Sequence, residues 1–180
     1  MADLTIEMFS AQAVYDFSGF DCGEPSLNDF LQNRLVQQHN GRILRGYLLL
    51  TKDPVPKVKG FYTLSGSCFA RQTLPSNTQK RKIPYSDAPS VTLGRLAIDK
   101  SLQGQGYGQQ LLVHAMRVVY QASRAVGIYA LFVDALNQSA IQFYQNLGFI
   151  PLTGANANSL FYPTKSIEEL FETEQTKPLN

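Results

Sequence analysis

A glycine-rich turn is the first place in this sequence where chemistry is expected. The run Gln103-Gly104-Gln105-Gly106-Tyr107-Gly108 follows an apolar, strand-like segment (residues 91–98) and precedes a helical pattern that begins at about Gln109. Strand, turn and helix start together offer backbone N–H groups and a positive helix end to an anion such as a pyrophosphate. Glycine-rich turns are common, however, and many bind nothing, so this interpretation needs support from elsewhere in the chain.

The spacing of these glycines argues against the usual dinucleotide fingerprint. That motif has a G-x-G-x-x-G frame with an acidic residue roughly 20 positions further on. Here the frame is Gln-x-x-Gly-x-Gly. The turn therefore predicts an anion site whose ligand is something other than a dinucleotide.

A second pair of candidate residues lies on a short predicted helix. Asn137 and Tyr144 are about two helical turns apart, with the small residue Ala140 between them, so both side chains face the same way. An amide can hydrogen-bond an extended ligand, and a phenol with a pKa near 10 can donate a proton at neutral pH. The competing interpretation makes Asn137 a helix cap and Tyr144 part of the core.

Periodicity predicts the elements that position these residues. Strands are expected at residues 4–9, 43–51, 58–69, 91–98, 128–133, 149–152 and 159–162, of which 43–51 and 58–69 would form an antiparallel hairpin. Helices are expected over 26–40, 109–126 and 137–147. The segment 71–89, with three prolines, is expected to be an irregular loop.

Composition favours one globular domain. The 180 residues carry a net charge of only +2, and no apolar run approaches the ~20 residues that span a bilayer. No secretory signal is visible, so a cytoplasmic protein is expected. Cys22 and Cys68 have no metal-binding spacing and are expected to be reduced packing residues. We expect a single domain over residues 1–170 and a polar, frayed tail over 171–180.

Both motifs together resemble the acyl-CoA-binding signatures of the GNAT family of N-acetyltransferases. The first is L-G-R-L-A-I-D followed by Gln-x-x-Gly-x-Gly, and the second is D-A-L-N-Q-S-A-I-Q-F-Y-Q-N-L-G-F from Asp134 to Phe149. They occur in the family's order and at its distance. The resemblance implies an α/β (α+β) GNAT fold: a mixed central sheet of six to seven strands flanked by helices. Acetyl-CoA would lie in the cleft where the central strands splay.

The resemblance also implies roles for particular residues. The backbone of Leu96, Ala97 and Ile98 would pair with the pantetheine amides of acetyl-CoA and hold the acetyl carbonyl. Asn137 would touch pantetheine, and Tyr144 would protonate the departing CoA thiolate. The pyrophosphate would lie on the amides of one segment: Gln103, Gly104, Gln105, Gly106, Tyr107, Gly108 and Gln109. No metal is needed, because the amine attacks the thioester directly.

No general base stands out. Of the two histidines, His114 is expected at the surface of its helix and His39 at a helix end, where a cation is favourable in any case. The acids Glu24, Asp99 and Asp134 have no assigned role. An α-amine with a pKa near 8 is partly neutral at pH 7, so a dedicated base is not required.

A narrower resemblance covers nearly the whole chain. The segments F-D-C-G-E-P-S-L-N-D-F-L, G-F-Y-T-L-S-G-S and L-G-R-L-A-I-D-K-S-L-Q-G-Q-G are similar to the GNAT toxins of bacterial toxin–antitoxin modules, of the TacT and AtaT type. This implies acetylation of the amino acid on charged tRNA, which blocks translation. It also implies a ribbon-helix-helix antitoxin as partner and, since family members are often dimers, a homodimer.

The charge distribution is compatible with an RNA substrate. Basic residues concentrate between positions 42 and 95, whereas glutamates crowd the tail. Phosphate contacts from such residues supply most non-specific affinity for nucleic acid. An ordinary solvated loop would look similar. The candidates for contact with nucleic acid are Arg71, Lys80, Arg81, Lys82 and Arg95.

Three functions remain open from the sequence. The first is a toxin that acetylates aminoacyl-tRNA. The second is an N-acetyltransferase for a small-molecule amine or a protein N-terminus, which would act without RNA. The third is a non-catalytic module that only binds CoA or a partner, against which the intact Gln-x-x-Gly-x-Gly, Asn137 and Tyr144 argue.

Overall fold

The computed structural model describes residues 3–154 and 158–175. A seven-stranded sheet flanked by helices forms its centre, with the strand order β1-β2-β3-β4-β5-β7-β6. The strands are β1 Leu4–Met8, β2 Arg45–Thr51, β3 Val58–Ala70, β4 Asp87–Ile98, β5 Ala130–Asp134, β6 Ile150–Pro151 and β7 Ser159–Pro163. The helices are α1 Pro25–Asn33, α2 Leu35–Asn40, α3 Asn77–Arg81, α4 Tyr107–Ser123, α5 Gln138–Asn146 and α6 Thr164–Gln175. The α/β fold expected from the GNAT resemblance is confirmed.

The chain packs as two compact units, each made from two stretches of sequence. The first unit combines Met1–Ser65 with Leu93–Ala115, and the second combines Gly66–Thr92 with the residues from Met116 onward. The strands β3 and β4 and the helix α4 each contribute residues to both units.

In the first unit, β1, β2 and β3 form an antiparallel meander. Leu4 pairs with Thr51 in β2, and Tyr47 pairs with Tyr62 in β3. Successive side chains of a strand point to opposite faces, so Phe61 and Tyr62 lie on opposite faces of the sheet. Phe61 packs with Phe30 of α1, whereas Tyr62 stacks on Tyr47 with ring centroids 4.7 Å apart.

The second unit has its own apolar core around an antiparallel β5-β7-β6 arrangement. Its buried members are Phe69, Leu74, Ile83, Ala88, Ala130, Leu152 and Phe161. Helix α6 contributes Phe171, which is buried and packs against Tyr120 of α4.

Most of the predicted elements are confirmed, with shifted ends. The hairpin appears as β2 and β3, and the long helix as α4. The single helix expected over 26–40 is wrong, because Arg34 leaves the helical conformation and separates α1 from α2. The Asn28 side chain accepts the Cys22 N–H at 2.9 Å and donates to Asp21, and Glu24 occupies the N-cap position of α1.

Three further expectations need correction. The loop expected at 71–89 contains α3 and the start of β4, which already begins at Asp87. The segment after 170, expected to be frayed, continues α6 to Gln175; residues 176–180, and most of the turn at 154–158, lie outside the described residues. Cys68 is exposed rather than packed. Within the described residues, no helix has the length and apolarity that a membrane crossing requires.

Candidate active site

The end of strand β4 and the turn that follows are held by one buried carboxylate, Asp99. Its oxygens accept the backbone N–H groups of Ser101 and Asp21, both at 3.0 Å, and the Lys59 ammonium lies 3.6 Å away. Burial raises the pKa of Asp99, but the hydrogen bonds from Ser101 and Asp21 and the charge of Lys59 outweigh it and lower the pKa overall. Asp99 is therefore an ionised structural group, which removes it from the candidate bases.

The Gln103 side chain closes the turn. Its amide nitrogen donates to the carbonyl oxygens of Cys22 and Ile98, both at 2.8 Å. The side chain thus ties the loop before α1 to the end of β4. Among the predicted pyrophosphate contacts, Gln103 therefore also has a structural role that its sequence position did not reveal.

The glycines of the turn have the backbone geometry that a ligand cradle needs. Gly104 and Gly106 adopt left-handed conformations with φ of 73° and 87°. Apart from the glycine itself and its two chain neighbours, no atom of residues 3–154 and 158–175 lies within 4 Å of where a Cβ would stand on either. Helix α4 starts at Tyr107, and its first bond runs from the Gln110 N–H to the Gly106 carbonyl at 3.1 Å. The N–H groups of the first turn precede that bond and have no helical acceptor, so they can bind an anion.

The three residues expected to contact pantetheine end the same strand. Ala97 and Ile98 are buried, and Leu96 is half-buried. Gly60 lets β3 approach β4 closely here, since a Cβ on Gly60 would lie 2.9 Å from Ile98 Cδ1 and 3.1 Å from the Ala97 carbonyl oxygen. The end of β4 is therefore closely packed against β3.

Asn137 is the N-cap of helix α5. Its side-chain oxygen accepts the Ala140 N–H at 2.9 Å, as the competing sequence interpretation predicted. The cap uses only the carbonyl end of the amide, so its NH₂ group stays available to a ligand. Capping and contact with pantetheine are thus compatible.

Tyr144 has a buried ring and an unpaired hydroxyl. The residue is 6% exposed, and its ring makes edge contacts with Phe143 and Phe149. No described residue hydrogen-bonds the hydroxyl, and the oxygen is not sealed from solvent. Burial raises the pKa of the phenol, which keeps it protonated at neutral pH. These properties suit a proton donor whose partner is a ligand.

His114 differs from expectation, whereas His39 lies in the last turn of helix α2, as predicted. His114 is half-buried rather than a surface residue, and its Nδ1 lies 2.7 Å from the Tyr62 hydroxyl. His39 is buried, and its Nδ1 accepts the Gly46 N–H at 3.0 Å. Burial, followed by the charge of Arg45, lowers the pKa of His39, so it is neutral at pH 7.

The other two acids considered as bases, Asp134 and Glu24, also accept hydrogen bonds. Ser159 donates a short hydrogen bond to Asp134, and Ser26 donates to Glu24 at 3.2 Å. Within residues 3–154 and 158–175, no cluster of three or more His, Cys, Asp or Glu side chains could hold a metal ion.

The five candidate nucleic-acid residues are divided between the two units. Arg71, Lys80, Arg81 and Lys82 belong to the second unit, around α3. Arg71 donates to the Ile83 carbonyl at 3.1 Å, and Lys82 lines a cavity of about 680 Å³. In the first unit, the Arg95 guanidinium lies 3.6 Å from the centroid of the Phe30 ring.

The family follows from comparison with known proteins. Residues 73–151 match the acetyltransferase (GNAT) domain, and a tRNA-acetylating toxin of Mycobacterium tuberculosis (strain ATCC 25618 / H37Rv) is 34% identical over 134 residues, which is 74% of this chain and 78% of the toxin. The chain belongs to the GNAT acetyltransferase family. The fold and both signature motifs of this GNAT enzyme agree with that membership.

Solved structures of similar proteins cover nearly the whole chain. A tyrosine-to-phenylalanine variant of KacT is 64% identical with a TM-score of 0.91, covering 93% of this chain and 99% of KacT. AtaT complexed with acetyl-methionyl-tRNAfMet is 60% identical with a TM-score of 0.91, covering 94% and 99%. A variant of AtaT bound to the C-terminus of the antitoxin AtaR and to acetyl-CoA is 55% identical with a TM-score of 0.83, covering 94% and 98%.

The predicted site residues fall into two groups in the structure. Leu96, Ala97, Ile98 and the glycine turn lie together in the first unit, whereas Asn137 and Tyr144 lie on α5 in the second. Sequence reasoning missed the structural role of the Asp99 side chain. An Asp two residues before Ser101, at the end of an apolar strand, is a typical turn signal and could have indicated it.

Proposed function

We propose that this GNAT enzyme is the toxin of a type II toxin–antitoxin module and acetylates the α-amine of the amino acid on charged tRNA, which blocks translation. One observation carries the proposal: AtaT complexed with acetyl-methionyl-tRNAfMet is 60% identical over almost the full length of both chains, with a TM-score of 0.91. The M. tuberculosis relative is likewise a tRNA-acetylating toxin.

Acetyl-CoA is the proposed donor. Its pantetheine arm would pair with the backbone of Leu96, Ala97 and Ile98, and the free NH₂ group of Asn137 would reach the same arm. The backbone N–H groups from Gly104 to Gln109 would bind the pyrophosphate, because unpaired donors and the helix dipole both favour an anion there. The Gln103 N–H is already donated to the Lys100 carbonyl at 3.4 Å, so Gln103 would contribute by shaping the turn.

The chemistry is a direct transfer. The neutral α-amine attacks the thioester carbonyl carbon, the C–S bond breaks, and the sulfur leaves as a thiolate. Tyr144 gives its phenolic proton to that thiolate, and the proton released by the attacking nitrogen returns to the phenolate through water. The pKa of Tyr144, raised by burial, keeps the proton on the phenol until the thiolate forms.

The proposed acceptor is held largely by phosphate contacts. Arg71, Lys80, Arg81 and Lys82 supply positive charge on the second unit and Arg95 on the first. Arg95 is fixed by its stack on Phe30, so less side-chain entropy is lost when it binds a phosphate or a base.

The proposed partners follow from the toxin assignment. A variant of AtaT that is similar to this chain has been solved bound to the C-terminus of the antitoxin AtaR. A KacTA–DNA complex also contains a chain similar to this one. We propose an antitoxin of the ribbon-helix-helix type for this toxin, a homodimeric state and a cytoplasmic location.

The test is acetyl transfer from labelled acetyl-CoA to total charged tRNA. We expect label on the aminoacyl ester, loss of label after ribonuclease treatment, and none on deacylated tRNA. Tyr144→Phe should lower turnover by about 10²–10⁴-fold. Tyr85→Phe, at an exposed tyrosine, is the matched control and should retain activity.

Two outcomes would contradict the proposal. Transfer that persists in ribonuclease-treated reactions containing small amines or peptides would assign the enzyme to the second class of acceptor. Tight acetyl-CoA binding without transfer to any amine would mean a binding module.

A further inference from the structure

A second cavity lies in the first unit and is lined by residues outside the proposed acetyl-transfer site. Its volume is about 430 Å³. It is formed by the end of β1 with the segment that follows and by the turn between α2 and β2. The lining residues are Met8, Phe9, Ser10, Ala11, Gln12, His39, Asn40, Arg42 and Arg45.

The charged residues of this cavity are all positive. Arg42 and Arg45 line it, and no aspartate or glutamate does. In the described part of the chain, neither arginine forms an ion pair with a carboxylate. Two guanidinium groups without anionic partners in one concavity make it a site for an anion.

The C-terminal end of helix α2 binds the side chain of Arg45 but not that of Arg42. An Arg45 Nη1 donates to the His39 carbonyl at 3.3 Å and so satisfies an acceptor at the helix C-terminus. The guanidinium of Arg42 makes no hydrogen bond to a described residue. Arg42 is exposed, and its charge is accessible to a ligand.

Arg42 also has an unusual backbone conformation. Its φ is 60°, and it is the only non-glycine residue with a positive φ among those described. The sequence places Gly41 beside it, yet Gly41 has a φ of −73° and lies in the ordinary helical region. An arginine thus occupies the left-handed position that closes helix α2, where the Arg42 N–H donates to the His39 carbonyl at 3.1 Å and the Ile43 N–H donates to the Gln38 carbonyl at 3.0 Å. Glycine is the unstrained residue at such a position, so the arginine side chain is retained there at some cost in backbone energy.

His39 adds a neutral polar group to the lining. It is 7% exposed and lines the cavity. Because Nδ1 accepts the Gly46 N–H at 3.0 Å, the neutral ring carries its hydrogen on Nε2. Ser10, Gln12 and Asn40 provide further uncharged polar groups in the lining.

We propose that this cavity binds a backbone phosphate of the tRNA, with Arg42 and Arg45 on the phosphate oxygens and the polar lining toward the adjoining sugar. The assignment of RNA as the ligand rests on the proposed function. A nucleotide fits better than an acidic side chain for two reasons. The cavity exceeds the room that a lone carboxylate needs, and its uncharged hydrogen-bonding groups match sugar hydroxyls rather than further negative charge.

The test is equilibrium binding of uncharged tRNA as a function of salt concentration. Arg42→Gly removes the guanidinium while relaxing the backbone, so the variant should unfold at the wild-type temperature or above it. We expect its tRNA affinity to fall about 3- to 10-fold and the slope of log K against log salt to fall by about 1. Arg45→Gln should act in the same direction.

The matched control is Lys57→Ala, which removes one exposed positive charge at the other end of strand β2. We expect that variant to keep the wild-type slope. An Arg42→Gly/Arg45→Gln variant with unchanged affinity and slope would overturn the proposal. So would a variant that keeps tRNA binding and loses binding of poly-glutamate, since the cavity would then take acidic protein segments.

Failure of this inference can be told apart from failure of the proposed function. The binding experiment uses uncharged tRNA and no acetyl-CoA, so it does not depend on catalysis. Wild-type protein that binds tRNA through Arg42 and acetylates no aminoacyl-tRNA would retain this site and refute the toxin activity. The reverse result would refute only the phosphate site.

Discussion

The Tyr62 hydroxyl lies 2.7 Å from Nδ1 of His114, and so joins strand β3 to helix α4 inside the first unit. Tyr62 is fully buried and stacks on Tyr47, and the His114 ring meets Tyr47 at an angle of 61°. Burial, followed by the neighbouring Tyr47, raises the pKa of Tyr62. The phenol therefore acts as a neutral hydrogen-bonding group.

We predict that His114→Ala destabilises the protein more than Tyr62→Phe. The histidine variant leaves the buried hydroxyl unsatisfied, which costs about 1–3 kcal/mol, whereas removal of the hydroxyl costs about 0.5–1.5 kcal/mol. Urea denaturation of both single variants and the double variant measures the coupling. Additive losses would show that the two side chains do not stabilise each other.

Acid stability should depend on the carboxylates that hold the loop before α1. The Lys100 and Asn28 side chains and the Gly23 N–H lower the pKa of Asp21 from its ordinary 3.8 to about 2, and the pKa of Asp99 is lowered as well. A carboxyl whose folded pKa is depressed contributes stability above its unfolded pKa and loses it as pH falls through the folded value. We therefore predict a loss of stability between about pH 4 and pH 2.

Asp21→Asn and Asp99→Asn test this window. Thermal unfolding followed from pH 6 to pH 2 should give flatter profiles for both variants than for the wild type. Asp87→Asn, at an exposed aspartate, is the matched control. A variant profile that falls as steeply as the wild-type profile would contradict the prediction.

A side chain at Gly106 should be destabilising, although space is open around it. Its φ of 87° costs an L-residue about 1–2 kcal/mol, so Gly106→Ala should lower the free energy of unfolding by that amount. We also expect at least about a tenfold loss of acetyl-CoA affinity, because the new Cβ stands where the ligand approaches the backbone. Gly127→Ala, where space is open and φ is not positive, should stay within about 1 kcal/mol of the wild type. Equal effects in both variants would argue against a cradle at Gly106.

Because Gln103 makes two hydrogen bonds that hold the turn, we predict that its loss changes KM for acetyl-CoA but not kcat. Gln103→Ala frees the Cys22 and Ile98 carbonyls and loosens the turn. We expect the KM for acetyl-CoA to rise about 3- to 10-fold with kcat within about twofold of the wild type, since donor binding rather than the transition state is affected. Gln110→Ala, at an exposed position of α4, is the control. A fall in kcat at constant KM would assign Gln103 a direct role in acetyl transfer.

Local patterns were enough to predict the elements that carry the candidate active site. The alternation of apolar and polar residues predicts β1, and a continuous apolar stripe predicts α4, because each pattern depends only on the period of its own element. The glycine turn was predicted for the same reason: its backbone freedom is a property of Gly104 and Gly106 themselves. Asn137 and Tyr144 share a helix face through their spacing alone.

Helix α6 had only a weak local signal. Its buried residues Ile167 and Phe171 are four apart in an otherwise polar stretch, and Phe171 becomes a core residue only when Arg117 and Tyr120 of α4 pack against it. The break between α1 and α2 at Arg34 is a similar case. The periodic apolar residues continue through it, so the pattern gives no sign that the backbone turns.

The amino-acid sequence by itself determined the seven strands, the long helix α4, the glycine turn and the helix that carries Asn137 and Tyr144, because these depend on neighbouring residues. Tertiary structure decided which polar groups hydrogen-bond to one another and which line a cavity. Gln103 is tied to Cys22, 81 positions away, His114 to Tyr62, 52 positions away, and the cavity around Arg42 needs the end of β1 beside the α2–β2 turn. Those contacts arise only when distant segments pack together, since burial and hydrogen-bond partners are properties of the folded chain.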